Sequence, residues 1–328
     1  MTTPTPASAA AFFVGIDVAK AALDLFRSDT GEWVHEPNTP AGIKKLVASL
    51  ASPAPACIVL EATGGLEEPL LLALLDAQLP VARVNPGRVR HLAIALGILA
   101  KTDAIDARVL AEFARVAQPR LSVKRSQTQA ELDALVTCRR QLVAAQTDQT
   151  NRLAATVNKT ARKALMAVKI TLDKQIKKLD KQIADHIDSD DDLKDLNDRL
   201  TSVPGVGKVL ASTLLAQLSE LGTIDRRQIA ALAGVAPYNQ ESGKFKGKRA
   251  IRGGRSDLRH VLYMATQAAI LFNPLIRAFA QRLKAAGKPA KVVIVACMRK
   301  LLNFLNAMVR LKLNWNELAV VKKAAVCA

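Results

Sequence analysis

Phe12-Phe13-Val14-Gly15-Ile16-Asp17-Val18 is the stretch on which the fold of the first third turns. It is a short apolar run, which suits a buried strand. Leu23-Asp24-Leu25-Phe26 follows closely with apolar–polar alternation and suggests an antiparallel partner. Ser28-Asp29-Thr30-Gly31-Glu32 reads as a turn, and Trp33-Val34-His35 as a third strand. Thr39-Pro40 opens a helix to about Leu50, with the proline at a tolerated first-turn position. Ala56 to Leu60 is another buried strand. A helix over 67–78, a strand Val81–Val84, a helix over 86–97 and a last helix from near Asp103 complete the pattern. Three meandering strands, then strands alternating with helices, make an α/β domain with a mixed sheet.

Beyond it the pattern becomes purely helical. Gly and Pro are absent from 121 through 200. Leu165, Val168, Leu172, Ile176, Leu179, Ile183 and Ile187 recur at spacings of 3, 4, 4, 3, 4 and 4 among Lys, Asp, Gln and Thr. A narrow apolar stripe flanked by alternating charge predicts a long antiparallel hairpin or coiled coil, read as an oligomerisation arm. Ser202-Val203-Pro204-Gly205-Val206-Gly207 breaks the helices. Helices are then expected over 207–219, 226–233, 256–271, 274–286 and 290–312, with a Gly- and Lys-rich loop over 234–255. The expected organisation is therefore 1–120, an α/β domain; 121–200, a helical arm; and 201–328, a basic helical domain.

Charge follows the same division. Residues 1–120 carry 11 Lys+Arg and 12 Asp+Glu, residues 121–200 carry 15 and 12, and residues 201–328 carry 21 and 5. A formal charge of +18 gathered in the last third is the footprint of a polyanion binder. No amphipathic basic helix with aromatic anchors points to a lipid surface. No apolar run reaches 18 residues, and the N-terminal MTTPTPASAA lacks a basic n-region, so neither a membrane span nor a secretory signal is expected. The four cysteines, at 57, 138, 297 and 327, form no CxxC pair. They outline neither a disulfide framework nor a zinc site, and a reducing, cytoplasmic compartment is the simplest reading. His35, His91, His186 and His260 show no ligand spacing and read as structural; Trp33 and Trp315 read as packing residues.

Four carboxylates stand out. Asp17 lies inside an apolar strand, where an unpartnered carboxylate is costly. Glu61 directly follows the strand 56–60, at the carboxyl end where open α/β sheets place their sites. Asp103 and Asp106 are three apart and share a helix face, with Thr102 competing for the N-cap. From two strands and one helix, these side chains can converge on a point and offer oxygen ligands to a hard cation. Two Mg²⁺ ions in such a site activate a nucleophile and stabilise a leaving oxygen in phosphodiester chemistry.

The chain resembles the RuvC-like, DEDD-motif transposases of bacterial insertion sequences, a family that includes Piv-type DNA invertases and bridge-RNA-guided recombinases. The residues that carry the resemblance are Gly15-Ile16-Asp17-Val18-Ala19-Lys20, Leu60-Glu61-Ala62-Thr63-Gly64 and Lys101-Thr102-Asp103-Ala104-Ile105-Asp106-Ala107. Later in the chain they are Pro204-Gly205-Val206-Gly207, Ala233-Gly234-Val235-Ala236-Pro237, Glu241-Ser242-Gly243-Lys244, and Leu258-Arg259 after Gly253-Gly254. Order and spacing match over about 12–312. The resemblance implies an RNase H-like (RuvC-like) domain in which Asp17, Glu61, Asp103 and Asp106 bind Mg²⁺. It also implies target and donor double-stranded DNA as substrates, a structured guide RNA, and a dimer or tetramer whose active site is shared between subunits. Its place would be the bacterial cytoplasm, at the nucleoid.

Ser242 sits in a basic loop with Lys244, Lys246, Lys248, Arg249, Arg252 and Arg255. Read alone it is a flexible polar turn. Such a loop can also hold a phosphate and stabilise an in-line displacement. A serine hydroxyl needs a base or metal to act as nucleophile, and the nearest histidine in sequence is His260. The resemblance implies that Ser242 forms a phosphoserine link to cleaved DNA. One departure lies at Gly254-Arg255-Ser256-Asp257-Leu258-Arg259, where the family is expected to carry Gly-Asn; Asp257 is free to pair with Arg255 or Arg259. The 203–208 segment resembles the hairpin of helix-hairpin-helix modules, so Lys208 joins Lys244, Lys246, Lys248, Arg249, Arg252, Arg255 and Arg259 as nucleic-acid contacts. With 12 aromatic residues, Arg and Lys carry those contacts rather than base stacking, and guide-RNA pairing suits that economy.

The first expectation is a serine recombinase. Its competitor is a RuvC-like nuclease or junction resolvase in which metal-activated water attacks. An actin-like kinase lacks a second phosphate loop, and a purely architectural binder leaves the carboxylates unexplained.

Overall fold

The computed structural model describes residues 11–100, 102–124, 126–239, 241–242, 245–247 and 249–317, with backbone only for Phe245 and Lys246. The chain divides into two compact units, Met1–Arg125 and Ser126–Ala328.

The first unit holds β1 (Phe13–Val18), β2 (Ala22–Arg27), β3 (Trp33–Pro37), α1 (Pro40–Ser49), β4 (Cys57–Glu61), α2 (Glu68–Asp76), β5 (Val81–Val84), α3 (Pro86–Ala95) and α4 (Asp103–Ala117). These strands form one mixed sheet in the order β3-β2-β1-β4-β5. β1, β2 and β3 meander antiparallel, and β4 and β5 run parallel to β1. Local chemistry sets the helix starts. Thr39 accepts from Gly42 N (3.2 Å), Asn85 from Gly87 N (2.8 Å) and Thr102 from Ile105 N (3.3 Å), each satisfying a free first-turn donor.

Strand alternation sorts the sheet into two faces. Val14, Ile16, Val18, Leu23, Leu25, Ile58, Leu60 and Val81 enter one core with α1 and α2. Cys57, Val59, Ala82 and Val84 enter the other with α3 and α4. Gly15 is what lets α4 lie on β1. A Cβ there would stand 2.1 Å from Ala107 O, 2.4 Å from Ala111 N and 2.6 Å from Leu110 Cβ.

The second unit holds α5 (Gln127–Ala155), α6 (Lys159–Asp188), α7 (Asp191–Thr201), α8 (Lys208–Gln217), α9 (Arg226–Leu232), four two-residue strands β6 (Pro237–Tyr238), β7 (Glu241–Ser242), β8 (Phe245–Lys246) and β9 (Ala250–Ile251), then α10 (Ser256–Phe272), α11 (Pro274–Ala285) and α12 (Ala290–Leu311). α5 and α6 form an antiparallel hairpin. Arg139 Nε meets Asp180 Oδ1 at 2.5 Å, and further out Gln146 reaches Asp173. No Gly or Pro marks its turn; Asn158 does, by capping α6 through Ala161 N at 3.0 Å. Near its base, Leu132, Val136, Ile183 and Ile187 join the core of α7 to α12. Val168 departs from the expected stripe and is 49% exposed. Lys169 turns inward at that level and pairs with Asp173 at 2.9 Å.

α12 is long and apolar enough to cross a bilayer, with a mean hydropathy of 1.7 in its most apolar window. In this fold it is the central core helix: Val293, Cys297, Leu301, Leu302, Leu305 and Met308 are buried in the second unit's core. Trp315 packs edge-on against Phe304, centroids 5.8 Å apart. Trp33, expected as a packing residue, is 48% exposed on the edge strand β3.

Candidate functional site

The first unit gathers carboxylates on the α4 face of its sheet. Ile16 pairs with Leu60 across the parallel β1–β4 ladder, so the next residues, Asp17 and Glu61, project together to the opposite face. That face carries α4, packed through Gly15, and Asp103 and Asp106 occupy the helix's first turn. Thr102 is the N-cap, which leaves Asp103 out of that role. Asp17, Glu61 and Asp106 are half-buried, and Asp103 is exposed.

Burial pushes the Asp17 carboxyl above its ordinary value. The charges of Asp106, Asp103 and Asp24 push it the same way, against a hydrogen bond from Val18 N–H. Among the described residues, no three His, Cys, Asp or Glu side chains stand close enough to hold a metal ion jointly. The donor set fits a hard divalent cation: oxygen only, with mutual repulsion that a cation relieves. The fold supplies the shared face and the close helix without drawing the side chains to one point.

Two further features of this site escape the sequence reading. Asp24, opposite Asp17 in the β1–β2 register, is 1% exposed and meets His35 Nδ1 at 2.9 Å. A carboxylate in an alternating strand, on the parity opposite Leu23 and Leu25, was the available signal. The other feature is Glu67, 2% exposed, just beyond the loop that leaves Glu61. Its Oε2 accepts from Thr63 N (3.0 Å), Thr63 Oγ1 (3.0 Å) and Gly65 N (2.9 Å), and Oε1 accepts from Arg83 Nη1 (3.3 Å). Gly64 and Gly65, at φ +76° and +109°, give the loop the left-handed turns that aim those N–H groups inward.

The second unit presents Ser242. The expected 234–255 loop is a two-tier hairpin: β6 pairs with β9 at its base and β7 with β8 towards its tip. Ser242 ends β7, exposed, opposite Phe245. Gly234 and Gly254 lock the base. A Cβ on Gly254 would meet Gly234 N at 2.2 Å, and Arg255 N donates to Leu232 O at 2.8 Å. Of the expected nucleic-acid contacts, Lys208, Arg249 and Arg252 are exposed. Lys244, Lys248 and the side chain of Lys246 lie outside the described residues.

Arg255 is engaged within the protein. It forks onto Glu220 (2.9 and 2.7 Å) and donates to Gln217 O (2.6 Å). Arg259 donates to Gly253 O at 2.6 Å, and Asp257 pairs with Arg140 of α5 at 3.2 Å rather than with either neighbouring arginine. The arginine at the position expected to be Asn thus anchors the loop that carries the serine.

Residues 14–161 match a family model for a DEDD transposase of the IS110 type. Residues 197–281 match one described as transposase IS116/IS110/IS902 family. Together they take in more than two thirds of the chain, so the class is that of DNA-recombining enzymes. The chain carries two domains that match IS110-type transposases. It is 29% identical over 320 residues to the pilin gene-inverting protein of Moraxella bovis, covering 91% of this chain and 95% of that one. The same protein from Moraxella lacunata matches equally. The transposase for insertion sequence element IS1111A of Coxiella burnetii is 25% identical over 307 residues, covering 80% and 82%.

Proposed function

We propose that this transposase cleaves and exchanges DNA strands through a covalent bond between Ser242 and DNA, assisted by Mg²⁺, two ions per site. Asp17, Glu61, Asp103 and Asp106 would hold the ions. The observation that carries the reading is the combination, in one chain, of an oxygen-only carboxylate face and an exposed serine on an anchored basic hairpin.

When bound, the cation neutralises charge on the scissile phosphate and the leaving oxygen. Asp17, Glu61, Asp103 and Asp106 supply the negative charge that keeps it in place. Ser242 Oγ forms a bond to phosphorus, and the bond from phosphorus to the deoxyribose oxygen breaks. The serine proton passes to solvent, and the leaving oxygen takes one up. Arg249 and Arg252, exposed on the same 234–255 hairpin, would offset the phosphate charge. Strand exchange is the reverse step with a different deoxyribose hydroxyl.

The strand order, with β1–β3 antiparallel and β4 and β5 parallel to β1, supports reading the first unit as RNase H-like, in its RuvC-like form. The α5–α6 hairpin serves as a coiled-coil arm that assembles a dimer or tetramer with a shared active site. Its exposed Val157, Met166, Val168 and Ile170 support that role. The functional regions are then 1–120, 121–200 and 201–328. A charge of +18 supports nucleic acid as the partner; target and donor DNA, a structured guide RNA and a place in the cytoplasm at the nucleoid are what the family resemblance implies.

The test uses protein co-purified with RNA transcribed from its own flanking DNA. It is incubated with labelled target and donor DNA and Mg²⁺, quenched in detergent, and compared with Ser242→Ala. A labelled protein–DNA adduct that disappears in the variant supports the proposal. Cleaved DNA with no adduct in either protein means that water is the nucleophile.

A further inference from the structure

Asp17, Asp24 and His35 form one row across three strands. Asp17 pairs with Asp24 in the β1–β2 register, and Asp24 with His35 in the β2–β3 register. Directly paired residues project to the same side of a sheet, so the row lies on the face that carries α4 and its acidic first turn. Asp24 is a fifth carboxylate on that face, 1% exposed. One of its oxygens meets His35 Nδ1 at 2.9 Å, and the His35 side chain is 54% exposed.

A buried carboxylate directly opposite another works against folding twice, through desolvation and through like-charge repulsion. The charge of Asp24 is among the causes that raise the Asp17 carboxyl. His35 fixes Asp24 and offsets part of that cost. The repulsion left between Asp24 and Asp17 is relieved by a cation at Asp17. Free energy that destabilises the empty site in this way becomes affinity for the ion.

We infer that Asp24, held by His35, is a positioning residue of the carboxylate site that strengthens divalent-cation binding through Asp17. The inference rests on the cation reading of that face. A purely structural Asp24 would affect the fold alone. A positioning Asp24 separates the two quantities, because its charge weakens the empty protein and favours the loaded one.

The experiment measures Mn²⁺ binding to the full chain by electron paramagnetic resonance, and thermal unfolding in a chelator, for wild type, Asp24→Asn, His35→Gln, His35→Phe and Asp17→Asn. Asp24→Asn keeps the shape and an acceptor for His35. It is expected to melt at or above wild type without metal while binding Mn²⁺ about tenfold more weakly. His35→Gln, which still offers a donor, should bind within about twofold of wild type; His35→Phe, which frees Asp24 to turn away from Asp17 and leaves its buried carboxylate without a partner, should lose affinity as Asp24→Asn does and melt below wild type. Wild-type affinity in Asp24→Asn, with binding lost in Asp17→Asn, overturns this inference and leaves the site reading standing. If wild type binds no Mn²⁺, or Asp17→Asn binds it unchanged, both are overturned. Should Asp24→Asn fail to fold, wild-type affinity in His35→Phe alone overturns the inference.

Discussion

A Cβ on Gly15 would stand 2.1 Å from the carbonyl oxygen of Ala107, so β1 and α4 touch here through their backbones. Ala107 directly follows Asp106. The contact that packs the helix is therefore also the contact that sets its acidic first turn beside Asp17.

Gly15→Ala should push α4 from the sheet. We expect a loss of about 2–3 kcal/mol, read as a lower urea midpoint for the first unit, because overpacking against backbone cannot relax by a rotamer change. Cation binding should fall with it. A variant that unfolds like wild type would mean that the close approach is not needed.

Asp17→Asn should stabilise the metal-free protein at neutral pH. The folded state raises this carboxyl, so the folded protein binds more protons than the unfolded chain, and stability falls as pH rises through that window. Below the ordinary value of 3.8 both states are protonated and the gain vanishes. Melting curves across pH, taken in a chelator, check the sign. A gain that grows towards acid would contradict it.

Glu67→Ala should cost about 3 kcal/mol, since it leaves Thr63 N, Thr63 Oγ1 and Gly65 N without their shared acceptor, while Arg83 keeps Glu68 at 2.6 Å. Burial opposes ionisation of Glu67, but the backbone and Thr63 hydrogen bonds outweigh it and hold the carboxyl below its ordinary value. Its stabilisation is complete above that ordinary value and is lost as pH falls through the lowered one. Glu67→Gln should flatten this part of the acid limb in denaturation curves.

Arg252→Ala and Arg255→Ala should separate. Arg252 is exposed, and its loss should lower the salt slope of DNA binding by about one. Arg255 is spent on Glu220 and Gln217. Its loss should leave the slope unchanged and cost about 1–3 kcal/mol, with faster proteolysis of the 234–255 hairpin. Titrations at several salt concentrations and a protease time course check both.

Cys138 should label quickly with a maleimide in the native protein, while Cys57 and Cys297 label only after unfolding. Cys138 is exposed and the other two are buried. Burial pushes the Cys57 thiol up to about 11 and raises that of Cys297, leaving little thiolate to react. Peptide mapping of the labelled chain gives the answer directly.

The sequence by itself determined the elements, because their causes are local. Apolar periodicity, Pro40, Pro86 and the caps Thr39, Asn85 and Thr102 act within one turn of the helices they start. The helices expected over 207–219, 226–233, 256–271, 274–286 and 290–312 accordingly appear with ends shifted by one or two residues. Asp17, Glu61, Asp103 and Asp106 were legible as candidates for the same reason, since each stands at a recognisable point of a strand or a helix start; Ser242 reads alone as a polar turn, and the family resemblance singled it out. The partners of a side chain are not local. Asp24 lies beside Asp17 only through the β1–β2 register, and His35 reaches it only through β3. Arg255 finds Glu220 across 35 residues, and Asp257 finds Arg140 on a different helix. Gly15 matters because of a helix that begins at Asp103. Tertiary structure alone decided these, since each depends on strand register or backbone approach, which exists only once distant segments have packed.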